Sequence, residues 1–220
     1  MKKSLIILSI LFTFSGHSQS ISSLLDSINK YKLLSPQKAL DFGIEALEKS
    51  AGESISNDQL EINYNIGEIL FYLKNYSKSL EYLTATLNIH ELLPSSEKKH
   101  VYVNKPPWVL IALGNLYFKK NRNEKAKENY LEAITNFNLY EKEFSVEKLN
   151  GLNTAEANLA LIYMRLENFE QAEYYYQKIL ERRKKKETRS EIMFTYVLLM
   201  DLYFNYELSL IHISEPTRPY

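Results

Sequence analysis

Cysteine is absent from the 220 residues. Its absence excludes disulfides, thiolate metal sites, a cysteine nucleophile and a lipoprotein attachment point. Glycine and proline number only 6 each, too few for a linker, and 45% of the residues are hydrophobic, enough to order one helical domain. An excess of either charge is also lacking, because 27 Lys and Arg balance 27 Asp and Glu. No global field therefore draws the chain to nucleic acid or to an anionic membrane. The chain has no glycine-rich phosphate loop, no Gly-x-Ser-x-Gly turn and no His-Glu-x-x-His helix. His90 and His100 lie in a connecting stretch without metal-ligand spacing, which leaves them surface or capping roles. Carboxylates are scattered along helix faces as solvated charge. The sequence thus offers no cofactor, no metal site and no catalytic constellation, and an enzyme is the most distant reading.

What is present is a pattern of small and bulky residues that occurs three times. Gly67, Ser79, Leu83 and Thr86 are followed by Gly114, Ala126, Tyr130 and Ala133, then by Ala160, Ala172, Tyr176 and Ile179. The spacing predicts two antiparallel helices that approach closely at the small residues, with the bulky ones filling the seam. Helix pairs are expected over 58–73 and 76–93, 106–120 and 123–141, and 153–166 and 169–186. Gly114 should face Ala126 and Ala160 should face Ala172. The asparagine-rich stretches at Lys74-Asn75, Asn121-Arg122-Asn123 and Glu167-Asn168 suit tight turns with unusual backbone angles.

This pattern resembles the tetratricopeptide repeat, in which a small residue, an aromatic, an Ala, an aromatic and an Ala recur at fixed offsets. Gly114, Tyr117, Ala126, Tyr130 and Ala133 match all five places; the third copy ends on Ile179, and the first is looser, with Leu70, Ser79, Leu83 and Thr86. The copies lie 47 and 46 residues apart, against roughly 34 in the standard repeat. The excess follows each second helix, in 89–105 and 138–152, and points to elongated second helices or longer loops. Ala39, Gly43 and Ala46 complete an N-terminal copy whose first helix would be 21–31, amphipathic through Leu24, Leu25, Ile28 and Tyr31. A first helix over 193–206 has no partner and should expose Val197, Leu198, Leu202 and Phe204. The resemblance implies an all-α solenoid of helix hairpins with repeats at about 21–50, 60–93, 107–141, 153–186 and a partial one at 193–207.

The resemblance also implies a binding surface on the concave face of the first helices. Transferred by register, it comprises Glu61, Tyr64, Glu68, Phe71 and Tyr72, then Trp108, Ile111, Asn115, Phe118 and Lys119, then Thr154, Ala157, Leu161, Met164 and Arg165. We take Tyr64, Glu68, Tyr72, Trp108, Ile111, Asn115, Lys119, Leu161 and Arg165 as the candidate site, a mixture of aromatic anchors and single charges suited to a polypeptide. Phe71 and Phe118 could equally pack between repeats. The family's Lys, Arg and Asn clamp for a C-terminal carboxylate is not reproduced, since only Asn115 has the right type. The basic run Arg182, Arg183, Lys184, Lys185, Lys186 and Arg189 reads first as a solvated helix end favourable to the helix dipole, and second as an anionic-ligand patch.

Both ends carry other information. Lys2 and Lys3, an apolar run from Leu5 to Phe14 and the small residues at 15–18 read as a signal peptide over 1–18, cleaved before Gln19. That run is too short to span a bilayer about 30 Å thick. Residues 208–218 read LSLIHISEPTR, which resembles a transposase-type sequencing adapter translated in one frame. On that reading 208–220 is a non-native tail that should not pack, the solenoid occupies 19–207, and the natural protein continues past Glu207. The expected function is an exported, periplasmic or extracytoplasmic module that binds a protein or peptide and not nucleic acid. It would be the sensory part of a membrane-bound signalling protein, attached to the membrane through the missing C-terminal sequence. The alternative is a free periplasmic scaffold.

Overall fold

The computed structural model describes residues 19–96, 98, 106–140, 145–185 and 189–214, with side chains described as far as Glu207. The predicted signal peptide, His100 and Lys186 lie outside the described residues, as do the side chains of the adapter-like tail. Among the described residues there are nine helices and no strand. In chain order they are α1 (Ile21–Tyr31), α2 (Pro36–Lys49), α3 (Asn57–Tyr72), α4 (Tyr76–Leu92), α5 (Pro107–Lys119), α6 (Asn123–Asn138), α7 (Ser145–Arg165), α8 (Phe169–Lys185) and α9 (Arg189–Ser214). Each packs on the next, and the first helices α1, α3, α5 and α7 also touch in series. The result is an α-solenoid of hairpins.

The hairpins close on one turn, used three times. Lys74, Asn121 and Glu167 take left-handed backbone angles, with φ of 61°, 56° and 57°. The next N–H in each donates back to the carbonyl of Leu70 at 2.8 Å, Tyr117 at 2.9 Å and Tyr163 at 2.9 Å. This is a Schellman stop, which satisfies carbonyls that the helix end leaves orphaned. Asparagine fills the left-handed place only at Asn121. Asn75 and Asn168 instead cap the helices that follow, accepting from the N–H of Lys78 at 3.4 Å and of Gln171 at 3.2 Å. Ser20 and Ser56 cap α1 and α3 in the same way.

The close approach brings a bulky side chain onto each of the glycines Gly67 and Gly114. A Cβ on Gly114 would lie 2.4 Å from Tyr130 Cε1, and one on Gly67 would lie 2.8 Å from Leu83 Cγ. The small residue of the first helix therefore receives the bulky residue of the second. Ser79 does reach its expected partner, donating to the Gly67 carbonyl at 2.8 Å. The cap hairpin reverses the arrangement, since Gly43 makes room for Ile66 of the next repeat at 2.8 Å.

The extra length of the third repeat lies in its first helix. α6 stops at Asn138, whereas α7 begins at Ser145, ahead of the expected start at 153. The added turns pass directly over Phe137, whose ring would meet a Cβ on Gly151 at 2.1 Å. Glycine alone allows that crossing. At the far end α9 runs from Arg189 to Ser214, longer than the 193–206 expected. Leu202 is buried with Leu199 against α8 and Leu198 is half-buried there, contrary to expectation, while Val197 and Phe204 are exposed as expected. Of the surface or capping role expected for His90, the surface one does not hold, since it is buried in the last turn of α4.

Gly114→Ala should destabilise the protein by about 1–3 kcal/mol, because Tyr130 is fully packed and cannot retreat. Ala126→Leu should cost a similar amount in the same seam. Chemical denaturation of the two variants checks this, and unchanged midpoints would contradict the packing described.

Candidate functional site

The first helices stand side by side, so residues on their shared face have a choice between solvent and the neighbouring repeat. Several candidate residues take the neighbour. Glu68 pairs with Lys32 at the end of α1, at 3.2 Å. Asn115 accepts from the Tyr130 hydroxyl at 2.7 Å and from the Asn158 amide at 2.9 Å. Burial pushes the pKa of Tyr130 well above the ordinary tyrosine range, so it stays a protonated donor to Asn115. Trp108 packs edge-on against Phe137, with ring centroids 5.3 Å apart, and its indole N–H donates to Glu147 at 3.1 Å. Ile111 is buried in the cluster around Phe137.

Arg165 spans the same seam. Its guanidinium lies 3.7 Å over the Phe118 ring and donates to the Phe118 carbonyl at 3.2 Å and to Asn121 at 3.1 Å. It thus caps the end of α5 from the next repeat. These contacts assign Trp108, Ile111, Asn115 and Arg165 mainly to repeat stacking. Tyr72 and Leu161 remain available at 45% and 37% exposure, Lys119 is exposed, and Tyr64 is half-buried.

One concavity adjoins this face. A cleft of about 290 Å³ opens between α1 and α3, lined by Asn29, Lys32, Asn57, Leu60, Glu61, Tyr64 and Asn65. The register supplied Glu61 and Tyr64. It missed Asn29 and Lys32, because the α1 copy is too degenerate to transfer positions onto, and Asn57, Leu60 and Asn65, which are not on the family's face. The lining combines amide groups, an aromatic ring and both signs of charge. Such a set can hydrogen-bond an extended backbone and hold a side chain against the ring.

The basic run is not simply a solvated helix end. Arg182 pairs with Glu156, a carboxylate wholly buried between α7 and α8, and its Nε donates to Asn153 at 2.9 Å. Lys178 reaches the other oxygen of Glu156 at 2.9 Å. Burial, with Arg183 beside it, lowers Arg182 to about 10, which leaves it charged at neutral pH. Arg183 turns to α9 and donates to Thr195 at 2.7 Å. Of the basic residues Arg182 to Lys185 at the end of α8, only Lys184 and Lys185 are exposed. Glu156 also corrects the view that the carboxylates are all solvated. The available signal was its register, which it shares with buried Asn63 and Leu110.

Comparison with known proteins agrees with this geometry. Two family patterns, each described as a tetratricopeptide repeat, match residues 60–89 and 109–136 in one case and 157–186 in the other. These are the α3–α4, α5–α6 and α7–α8 hairpins. The apo form of RapI is 16% identical over 87% of this chain and 66% of that chain, with a TM-score of 0.65. TPR-like repeats of a putative kinesin light chain from Podosopora anserina are 12% identical over 87% of this chain and 92% of that one, at 0.60. BtubC (BKLC) from P. vanneervenii is 18% identical over 86% and 67%, at 0.57. Identities this low speak for the fold, a tetratricopeptide-like α-solenoid. No curated protein matches the chain.

Removing one partner of the buried ion cluster should be severe. Glu156→Ala leaves Arg182 without its carboxylate and should cost about 3–5 kcal/mol. Lys184→Ala, on the exposed side of the same helix, should stay within about 0.5 kcal/mol of the parent. Thermal unfolding followed by circular dichroism separates the two.

Proposed function

We propose that this chain is an exported protein-interaction module that holds an extended polypeptide along the face of its first helices. The observation that carries this reading is the α1–α3 cleft, where Asn29, Asn65, Lys32, Glu61 and Tyr64 line one concavity. Tyr72, Lys119 and Leu161 continue an accessible surface along the later first helices. The fold supports the same reading, because stacked hairpins create long concave surfaces suited to polypeptides. Balanced charge weighs against nucleic acid as the ligand.

Export rests on Lys2, Lys3 and the apolar run that follows them. Among the described residues no helix is long and apolar enough to cross a membrane. Within this reading the module is the extracytoplasmic sensory portion of a membrane-bound signalling protein, favoured over a free scaffold by a leader that runs directly into long-period repeats. The locus re-read from independent DNA decides between the two. An apolar run of about 20 residues beyond Glu207 supports the sensor, whereas further repeats and a stop support the scaffold.

Binding is tested with peptides selected from a displayed random library. Tyr64→Ala should weaken the selected peptide by about 1–2 kcal/mol while leaving helicity intact. Trp108→Ala should instead lower stability, because its ring supports Phe137. Affinity that survives the Tyr64 change would move the site off the α1–α3 cleft. N-terminal sequencing of the protein recovered from a periplasmic fraction should begin at Gln19, and a retained Met1 would reject cleavage.

A further inference from the structure

Asn65 is a buried amide without a partner. It is only 2% exposed, it lines the α1–α3 cleft, and its side chain makes no hydrogen bond among the described residues. The other buried asparagines of the first helices are bonded, since Asn63 donates to the Gln59 carbonyl at 2.8 Å and Asn153 accepts from Arg182 at 2.9 Å. The register explains the difference. Asn65 stands two residues before Gly67, as Asn158 stands two before Ala160, and Asn158 donates at 2.9 Å to Asn115 on the preceding first helix. Asn115 lies eleven residues before Ala126, and the residue eleven before Ala39 is Ile28, which is wholly buried and apolar. The first helix before α3 therefore offers Asn65 no such acceptor, and a buried amide left unmatched is costly enough to be rare.

The charges around the cleft are also unequal. Lys32 is neutralised by Glu68 at 3.2 Å, whereas Glu61 forms no ion pair among the described residues. Outside the lining, Asp26 and Asp58 are exposed one turn from Asn29 and Glu61, and the nearby Lys30 lies toward the Tyr31 ring, 5.5 Å from its centroid. The balance is negative. We propose that the cleft holds an arginine side chain of the bound polypeptide, its guanidinium shared between the Glu61 carboxylate and the Asn65 side-chain oxygen and its stem along the Tyr64 ring. A guanidinium carries five donors in a planar fork, so it serves a carboxylate and an amide oxygen together while lying against an aromatic wall; the point charge of lysine does this less well. The cleft volume of about 290 Å³ falls at the low end of the pockets of about 300–1,000 Å³ that take small molecules, a size for one long side chain. This assignment rests on the polypeptide-binding reading for the source of the arginine.

Titration of the isotope-labelled full chain with millimolar N-acetylarginine amide should shift the side-chain amide signals of Asn65. N-acetylcitrulline amide, of the same shape without the charge, should not. In peptides selected from the displayed library, replacing an arginine by citrulline should weaken binding about tenfold or more, and replacing it by lysine should weaken it less. Glu61→Gln should abolish the preference for arginine over citrulline with the thermal midpoint unchanged, because Glu61 supports no ion pair. Asn65→Leu should weaken arginine peptides without loss of helicity, because it exchanges an unbonded amide for an apolar group of similar size. The proposal is overturned by N-acetylarginine amide that leaves Asn65 unmoved, or by Glu61→Gln that leaves the arginine preference intact. Selected peptides that carry no arginine, or bind as well with citrulline, also overturn it while polypeptide binding stands. A chain that selects no peptide yet responds at Asn65 to N-acetylarginine amide would uphold the guanidinium site and reject a polypeptide as its source.

Discussion

The array depends on one contact, a large side chain of the second helix seated on a small residue of the first. Leu83 on Gly67 and Tyr130 on Gly114 leave no room for even a methyl group. The close approach brings the two helices near enough for the same side chains to reach the neighbouring hairpin. Tyr130 illustrates the coupling, since its ring fills the seam of its own repeat while its hydroxyl holds Asn115, which in turn holds Asn158 of the next repeat. Packing within a hairpin and stacking between hairpins therefore share atoms, as expected of a solenoid stabilised by nearest neighbours.

The same sharing shapes the candidate groove. Side chains that register places on the concave face serve two roles, and in the later repeats stacking takes most of them. Arg165 is the clearest case, a cation that would suit a ligand but is held over Phe118 and the end of α5. The α1–α3 region differs because its polar lining leaves an open cleft. The groove is therefore uneven along its length, with hydrogen-bonding capacity concentrated toward the N-terminal repeats and isolated apolar contacts beyond.

Helix pairing was legible in the sequence because the small and bulky residues repeat at offsets that only two packed helices satisfy. The helix bounds of α3 to α6 follow closely from that pattern. What escaped was anything decided by a single non-repeating residue. Gly151 lets α7 start early by passing over Phe137, yet one glycine in a polar stretch carries no periodic signal. Glu156 looked like one more surface carboxylate until α8 brought Arg182 and Lys178 to it. Lys74 and Glu167 took the left-handed turn places for which asparagine seemed better suited, because the packed helices on either side fix the turn and the local residue accommodates it. The concave face was legible as positions, but which of them remain available depends on neighbour contacts that no single repeat encodes.

The apolar clusters are unequal in size. One joins α1, α2 and α3, another α5, α6 and α7, and a third α7, α8 and α9, whereas the link from α4 to α5 rests on Leu83, Val109 and Leu113 with a few half-buried neighbours. Cooperativity in a linear array is only as strong as its weakest interface. Among the described residues the α4–α5 seam is thus the one that buries the least apolar surface, and a substitution at Val109 or Leu113 falls on the interface with the fewest neighbours to absorb it.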